Sequence, residues 1–138
     1  MNDDRSDGRQ RLRRATAEVA TRSYAPYSGF NVAAAVLTAE GEVFAGVNVE
    51  NVAFPSGQCA EATAIGNMVT NVGARSIVAV AVRGPGETLV WPCGNCRQKL
   101  VELAAPECSV LAISADGAEQ ERALADLLPF GFTEFESQ

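Results

Sequence analysis

The sequence predicts an α/β protein with three α-β-α layers: a mixed, mostly parallel sheet with helices on both faces. Short apolar or alternating runs at 30–37 (FNVAAAVL), 43–49 (VFAGVNV), 76–83 (SIVAVAVR) and 109–114 (SVLAIS) have the length and composition of strands. Segments with helical periodicity alternate with them, which implies crossover connections and parallel neighbours. The chain has 138 residues, 47% of them hydrophobic. That suits one domain around one core.

Taken in order, residues 1–8 are polar and read as a disordered tail, leaving 9–138 as the domain. Leu12, Ala15, Val19 and Ala20 recur at helical spacing, so 9–22 is a helix. Its arginines Arg9, Arg11, Arg13 and Arg14 read as a solvated face. Pro26 and Gly29 break it. The run 30–37 is apolar at nearly every position, as in a strand buried on both faces. Residues 39–42 turn into the second strand, 43–49, and a polar loop follows over 50–58. Residues 59–72 read as a helix despite Gly66, 76–83 as a strand and 84–87 as a loop. The helix 93–104 opens just after Pro92, where a helix start tolerates proline. A strand at 109–114 and a short helix at 120–128, stopped by Pro129, complete the order αββαβαβα.

The balance of charges excludes several classes of function. Eleven Lys and Arg against 17 Asp and Glu give a net charge of −6. Nucleic-acid binding draws most of its non-specific affinity from basic side chains, so a nucleic-acid partner is not expected. No apolar run approaches the ~20 residues of a membrane span. Residues 1–10 lack the apolar core of a secretory leader, so the cytoplasm is the expected compartment. The chain has no histidine, which removes Ser-His-Asp and Cys-His catalysis and every imidazole metal site. Its four cysteines, Cys59, Cys93, Cys96 and Cys108, point in such a chain to metal binding or catalysis before disulfides.

Two short segments hold the chemistry: Cys59-Ala60-Glu61 and Pro92-Cys93-Gly94-Asn95-Cys96, each at a predicted helix start. First-turn side chains lean toward the helix N-terminus, so Cys59 and Glu61 can both reach past the end of their helix. Cys93 and Cys96, three apart, share one face. Two helix N-termini, each with about half a positive charge, would then face one metal ion and favour the thiolate forms. Three thiolate ligands leave a fourth position for water, as in a catalytic zinc site. Zinc lowers the pKa of such a water to about 7. Glu61 is placed to carry its proton without being a ligand. The alternatives are a closed four-cysteine site that includes Cys108, and a Glu61 that merely favours the helix dipole.

These residues resemble the zinc-dependent cytidine deaminases, most closely the small homotetrameric type. The resemblance spans roughly 12–132. It rests on Ala25-Pro26-Tyr27-Ser28-Gly29-Phe30, Asn48-Val49-Glu50-Asn51, Cys59-Ala60-Glu61, Pro92-Cys93-Gly94-Asn95-Cys96-Arg97-Gln98 and Leu127-Leu128-Pro129. It implies zinc on Cys59, Cys93 and Cys96, with Glu61 passing a proton to ring N3 and to the leaving amine. The product would be a uridine, formed by attack at C4 with loss of ammonia. It further implies that Asn48 and Glu50 hydrogen-bond the ribose, Phe30 packs on the pyrimidine, the Ala60 backbone meets the base carbonyl, and Phe132 enters a neighbour's pocket. The partner expected is a small pyrimidine nucleoside, and the assembly a homotetramer serving pyrimidine salvage.

Three departures bear on this. The family usually places Arg after the catalytic Glu, offsetting thiolate charge, where this chain has Ala62. Ser56 and Gln58 stand where apolar residues are expected, and Phe54 where tyrosine is common. The blasticidin S deaminases also lack that Arg and resemble the segment 127–132, but they lack the Asn-Val-Glu-Asn match. Deamination of a modified or antibiotic aminopyrimidine nucleoside is therefore the alternative. A zinc-binding subunit without turnover is the second alternative, which the acid at Glu61 opposes.

Overall fold

The computed structural model describes residues 2–135. Its elements are α1 (Asn2–Val19), β1 (Ala33–Thr38), β2 (Val43–Val47), α2 (Ala60–Val72), β3 (Ile77–Arg83), α3 (Gly94–Leu103), β4 (Ala104–Ile113), β5 (Glu119–Ala123) and α4 (Leu124–Leu127). The strands form one sheet in the order β2-β1-β3-β4-β5. Ala34, Val36, Val80, Val82 and Val110 face Ala60, Ala64 and Met68 of α2 and Leu100 of α3. The alternate residues Ala35, Ala79, Ala81, Leu111 and Ile113 gather around Leu12 of α1. An apolar residue at every position thus serves two faces at once, which is why the strand runs do not alternate. The expected three layers are present.

The sheet is mixed, but it is not mostly parallel. β3 and β4 pair in parallel, whereas β1–β2, β1–β3 and β4–β5 are antiparallel. The crossover through α2 does make β3 run parallel to β2. However, β1 lies between them, so this parallel relation is never hydrogen-bonded. β1–β2 and β4–β5 are hairpins, antiparallel by necessity, and β1–β3 is antiparallel because the chain returns from β2 through α2 to the other side of β1.

The other differences lie along one edge. Residues 120–128 were expected as one helix; instead β5 precedes a single turn of helix, α4. Glu, Gln and Arg at 119–122 favour helix as isolated residues. Pairing with β4 overrides that preference, and charges on an edge strand discourage further pairing. Those charges are used by α1. Arg9 Nε donates to Glu121 (2.6 Å), and Arg13 Nε and Nη2 donate to Glu119 (2.6 and 2.9 Å). The face expected to be solvated is therefore partly an ion-paired seam, although Arg14 is exposed. The same seam draws the helix start outward. The disordered tail expected over 1–8 is helical from Asn2 on, with Arg5 3.9 Å from Glu121, and Met1 lies outside the described residues. Gly8 lies so close to β1 that a Cβ would sit 2.8 Å from Leu37 Cδ2.

Gly46, in the middle of β2, places α2. A Cβ there would come within 2.4 Å of Ala64 N and 2.8 Å of Ala60 O. The first turn of α2 therefore rests directly on the strand backbone. Replacement by Ala must push that turn away, and G46A should destabilise the protein by about 1–3 kcal/mol, read in urea unfolding. Glu121 sets the acid limit of the seam. Its carboxyl is held below the usual range, first by Arg9 and then by Ser109, against the opposing effect of burial. A lowered folded pKa stabilises above the unfolded value of about 4.3 and is lost as pH falls through the folded one. The melting-temperature gap between wild type and E121Q should therefore shrink as pH falls from 6 to 3.

Candidate metal centre and active site

Cys59 and Cys93 are the residues immediately before α2 and α3, both in extended conformation (φ −74°, ψ 154° and φ −66°, ψ 167°). Their carbonyls accept the first helical bonds, from Thr63 N (3.1 Å) and Arg97 N (2.9 Å). Neither thiol caps its own helix, so both are free to reach beyond the helix end. Cys96 lies in the first turn of α3 and is fully buried. Because α2 packs against α3, the two N-termini converge. The Cys59 and Cys93 sulfurs lie 4.0 Å apart, and all three Sγ atoms fall within 4.8 Å of one another.

That spacing fits zinc. Four-coordinate zinc with Zn–S bonds of about 2.3 Å separates its sulfurs by about 3.8 Å. Soft thiolate ligands also select zinc over harder cations. The electrostatics of the cluster call for a cation. Burial pushes the Cys59 and Cys96 thiols up, and the negative charges of Glu61 and the neighbouring thiols add to it. Burial also raises Cys93, but hydrogen bonds from the Cys96 backbone, Cys96 and Cys59 outweigh it, and its pKa falls. Cys108 is 1% exposed, pushed up to about 12 by burial, and outside the cluster. It is a core residue, so the four-cysteine alternative fails on geometry.

Glu61 occupies the second position of α2 and is 4% exposed. Burial raises its carboxyl pKa, while hydrogen bonds from its own backbone and from Cys96 act against the rise. A carboxyl buried at a helix start beside the thiols is placed to act as a general acid and base. Ala62, where the family usually has arginine, offers the thiols no guanidinium from that position. Arg97 spends its hydrogen bonds on carbonyls, from Nε to Pro92 O (2.7 Å) and from Nη1 to Leu127 O (2.8 Å). It thereby fixes the loop that delivers Cys93.

The segments expected to hold the sugar are laced to the metal centre. Val49 exchanges two backbone bonds with Gln58 (2.9 and 2.8 Å), immediately before Cys59, while Tyr24 N donates to Asn48 O (3.1 Å) and Glu50 N to Tyr24 O (2.8 Å). The Asn48 side chain donates to Phe30 O (2.8 Å) and accepts from Val32 N (2.9 Å) and from Ser23 Oγ. Glu50 accepts from Tyr27 N (3.0 Å), Ser28 N (3.1 Å) and Ser28 Oγ. Beside them is a mainly apolar cavity of about 320 Å³, lined by Tyr27, Ser28, Glu50, Asn51, Phe54 and Gly57. Small-molecule pockets are commonly ~300–1,000 Å³. Ala60, buried, begins α2, where the first N–H groups have no helical acceptor. Phe30 is half exposed, two residues from Ser28 of the cavity lining. Phe132 lies apart from this cavity, 65% exposed. Its backbone is held by the Gln98 amide (2.7 and 3.2 Å). Sequence reasoning gave no role to Gly46, Ser23 or Ser28; the only signal was that the serines bracket the turn segment that holds Pro26, Ser28 lying next to Gly29.

A family model described as the cytidine and deoxycytidylate deaminase zinc-binding region matches residues 6–112. The span includes both cysteine segments. The chain belongs to the cytidine deaminases. It is 38% identical over 125 residues to a cytidine deaminase of Halalkalibacterium halodurans, covering 91% of this chain and 94% of that one. The cytidine deaminase of Burkholderia pseudomallei superposes with a TM-score of 0.82 at 38% identity, covering 89% of this chain and 98% of that one. That of Mycobacterium tuberculosis gives 0.78 at 34% identity over 91% and 97%. For a deaminase metal centre of this composition, metal analysis of the purified protein should give one zinc per chain. C96A should lose it, and C108A should keep it.

Proposed function

We propose that this chain hydrolyses cytidine and 2′-deoxycytidine to uridine and 2′-deoxyuridine with release of ammonia. The observation that carries the reading is a buried Glu61 in the first turn of α2, the helix that Cys59 precedes, together with three thiols spaced for zinc. Zinc held by Cys59, Cys93 and Cys96 would supply an activated water. Glu61 would pass one proton of the water to ring N3 as the oxygen adds to C4, and the second, taken from that added hydroxyl, to the amine, which leaves as ammonia as the C4–N bond breaks. The N–H of Ala60, which has no helical acceptor, meets the base carbonyl, and Phe30 covers the base.

The donor and acceptor count suits a sugar hydroxyl. A carboxylate offers about four acceptor sites. Three are occupied on Glu50, leaving one on Oε2. The Asn48 amide has one N–H left after Phe30 O. One donor beside one acceptor matches one hydroxyl, whereas a phosphate would meet Glu50 and a net charge of −6. This favours nucleosides over nucleotides and argues against nucleic-acid partners.

Tyr24, Tyr27, Phe30, Val49, Val52 and Phe54 are exposed, Tyr27 and Phe54 lining the cavity, and so are Phe130, Phe132 and Phe135 on the tail. Their exposure supports a homotetramer in which Phe132 completes a neighbouring site. No helix among the described residues is long and apolar enough to cross a membrane, in keeping with a cytoplasmic role in pyrimidine salvage.

Ammonia release against cytidine, 2′-deoxycytidine, cytosine, CMP and blasticidin S tests the reading. Turnover should be confined to the first two. E61Q should abolish it, by 10²-fold or more for a lost proton-transfer group, with zinc retained. Turnover of blasticidin S instead would assign the site to an antibiotic nucleoside, and no turnover at all would leave a binding subunit.

A further inference from the structure

Ser28 stands between two groups that the proposed reaction needs. Its hydroxyl donates to Glu50 Oε2 and accepts from Phe30 N (2.9 Å). Its own N–H reaches the other carboxylate oxygen, Oε1 (3.1 Å), beside Tyr27 N (3.0 Å). One hydroxyl thus ties the residue that faces the sugar to the backbone of the residue that faces the base. The turn between them runs through Gly29 at φ +67°. That conformation disfavours any residue with a Cβ, so Ser28 and Phe30 are held two residues apart in a fixed relation. The contact is directional. Glu50 lies at the cavity surface without a cation bonded to it, and its carboxyl is held below the usual range first by the Ser28 hydroxyl. Without that hydroxyl, Oε2 has no partner and the carboxylate can rotate away from the cavity.

We infer that Ser28 is a positioning residue for substrate: it fixes which Glu50 oxygen faces the sugar hydroxyl and couples that choice to the placement of Phe30. The inference rests on the proposed sugar-binding role of Glu50. Ser28 touches neither the reacting carbon nor the proton path. Its contribution should therefore appear in substrate binding and not in the chemical step. The two charge-assisted bonds to Glu50 from backbone N–H groups survive removal of the hydroxyl, which should leave the loop folded.

The test combines a substitution with a change of substrate. In S28A, KM for cytidine should rise roughly tenfold, the size expected for losing one hydrogen bond to a charged group, with kcat within about threefold. With 2′,3′-dideoxycytidine, which has no hydroxyl on those carbons, the S28A penalty should fall below about twofold, because the two changes remove one interaction. S28C keeps the size of the side chain with a weaker donor and should show the same substrate dependence at smaller amplitude, so the test survives if S28A is poorly folded. Equal penalties on both substrates would overturn the inference while leaving the Glu50 reading intact. A wild-type enzyme that turns over cytidine and dideoxycytidine equally well would overturn both.

Discussion

The N-termini of α2 and α3 meet with their unpaired N–H groups and about half a positive charge each directed at one place. Three thiols gather there because each occupies a cap or first-turn position. Elsewhere on a helix, side chains would splay around the axis and could not share one ion. The convergence depends on how closely α2 can lie on the sheet, and this is where the absent Cβ of Gly46 matters. It depends equally on the loop before Cys93, which Arg97 holds by two carbonyls. Glu61 is buried by the same geometry, and burial is the largest cause of its raised pKa.

Around that centre lie the loops proposed to carry recognition, and they are ordered by isolated β-bridges and by side-chain hydrogen bonds. Asn48 and Glu50 are chemically suited to a sugar, yet most of their capacity is spent holding the segment from Ser23 to Val32 in place. The two roles are compatible because each side chain keeps one site open. A group already fixed by its neighbours loses little entropy when it binds, so such pre-ordering favours affinity.

The far edge of the sheet shows why local preference misleads. Residues 119–122 have helical composition, and their structure is a strand because β4 supplies partners and α1 supplies opposite charges. The same ion pairs carry α1 back to Asn2 through a stretch whose composition reads as disordered. The ion pairs at both places join residues more than a hundred positions apart, which no window of sequence contains, and the β4 pairing is a contact that local preference does not report. The parallel fraction of the sheet was misjudged for a similar reason. Alternating strands and helices give the direction of each strand, but not which strands become neighbours.

By itself, the sequence determined the strands of the core, the two helix starts, the three metal-binding cysteines and the acid beside them. These are local facts: apolar runs of strand length, and cysteines at spacings that a helix end translates directly into proximity. It also excluded imidazole chemistry, by composition alone. Only the tertiary structure decided that Cys108 is core and not ligand, and that Gly46 is the seat of α2. The roles of Ser23 and Ser28 in holding the recognition loop, and of Gln98 in holding the tail, were likewise beyond the sequence. Each of these depends on a contact between elements, where distance along the chain carries no information about distance in space.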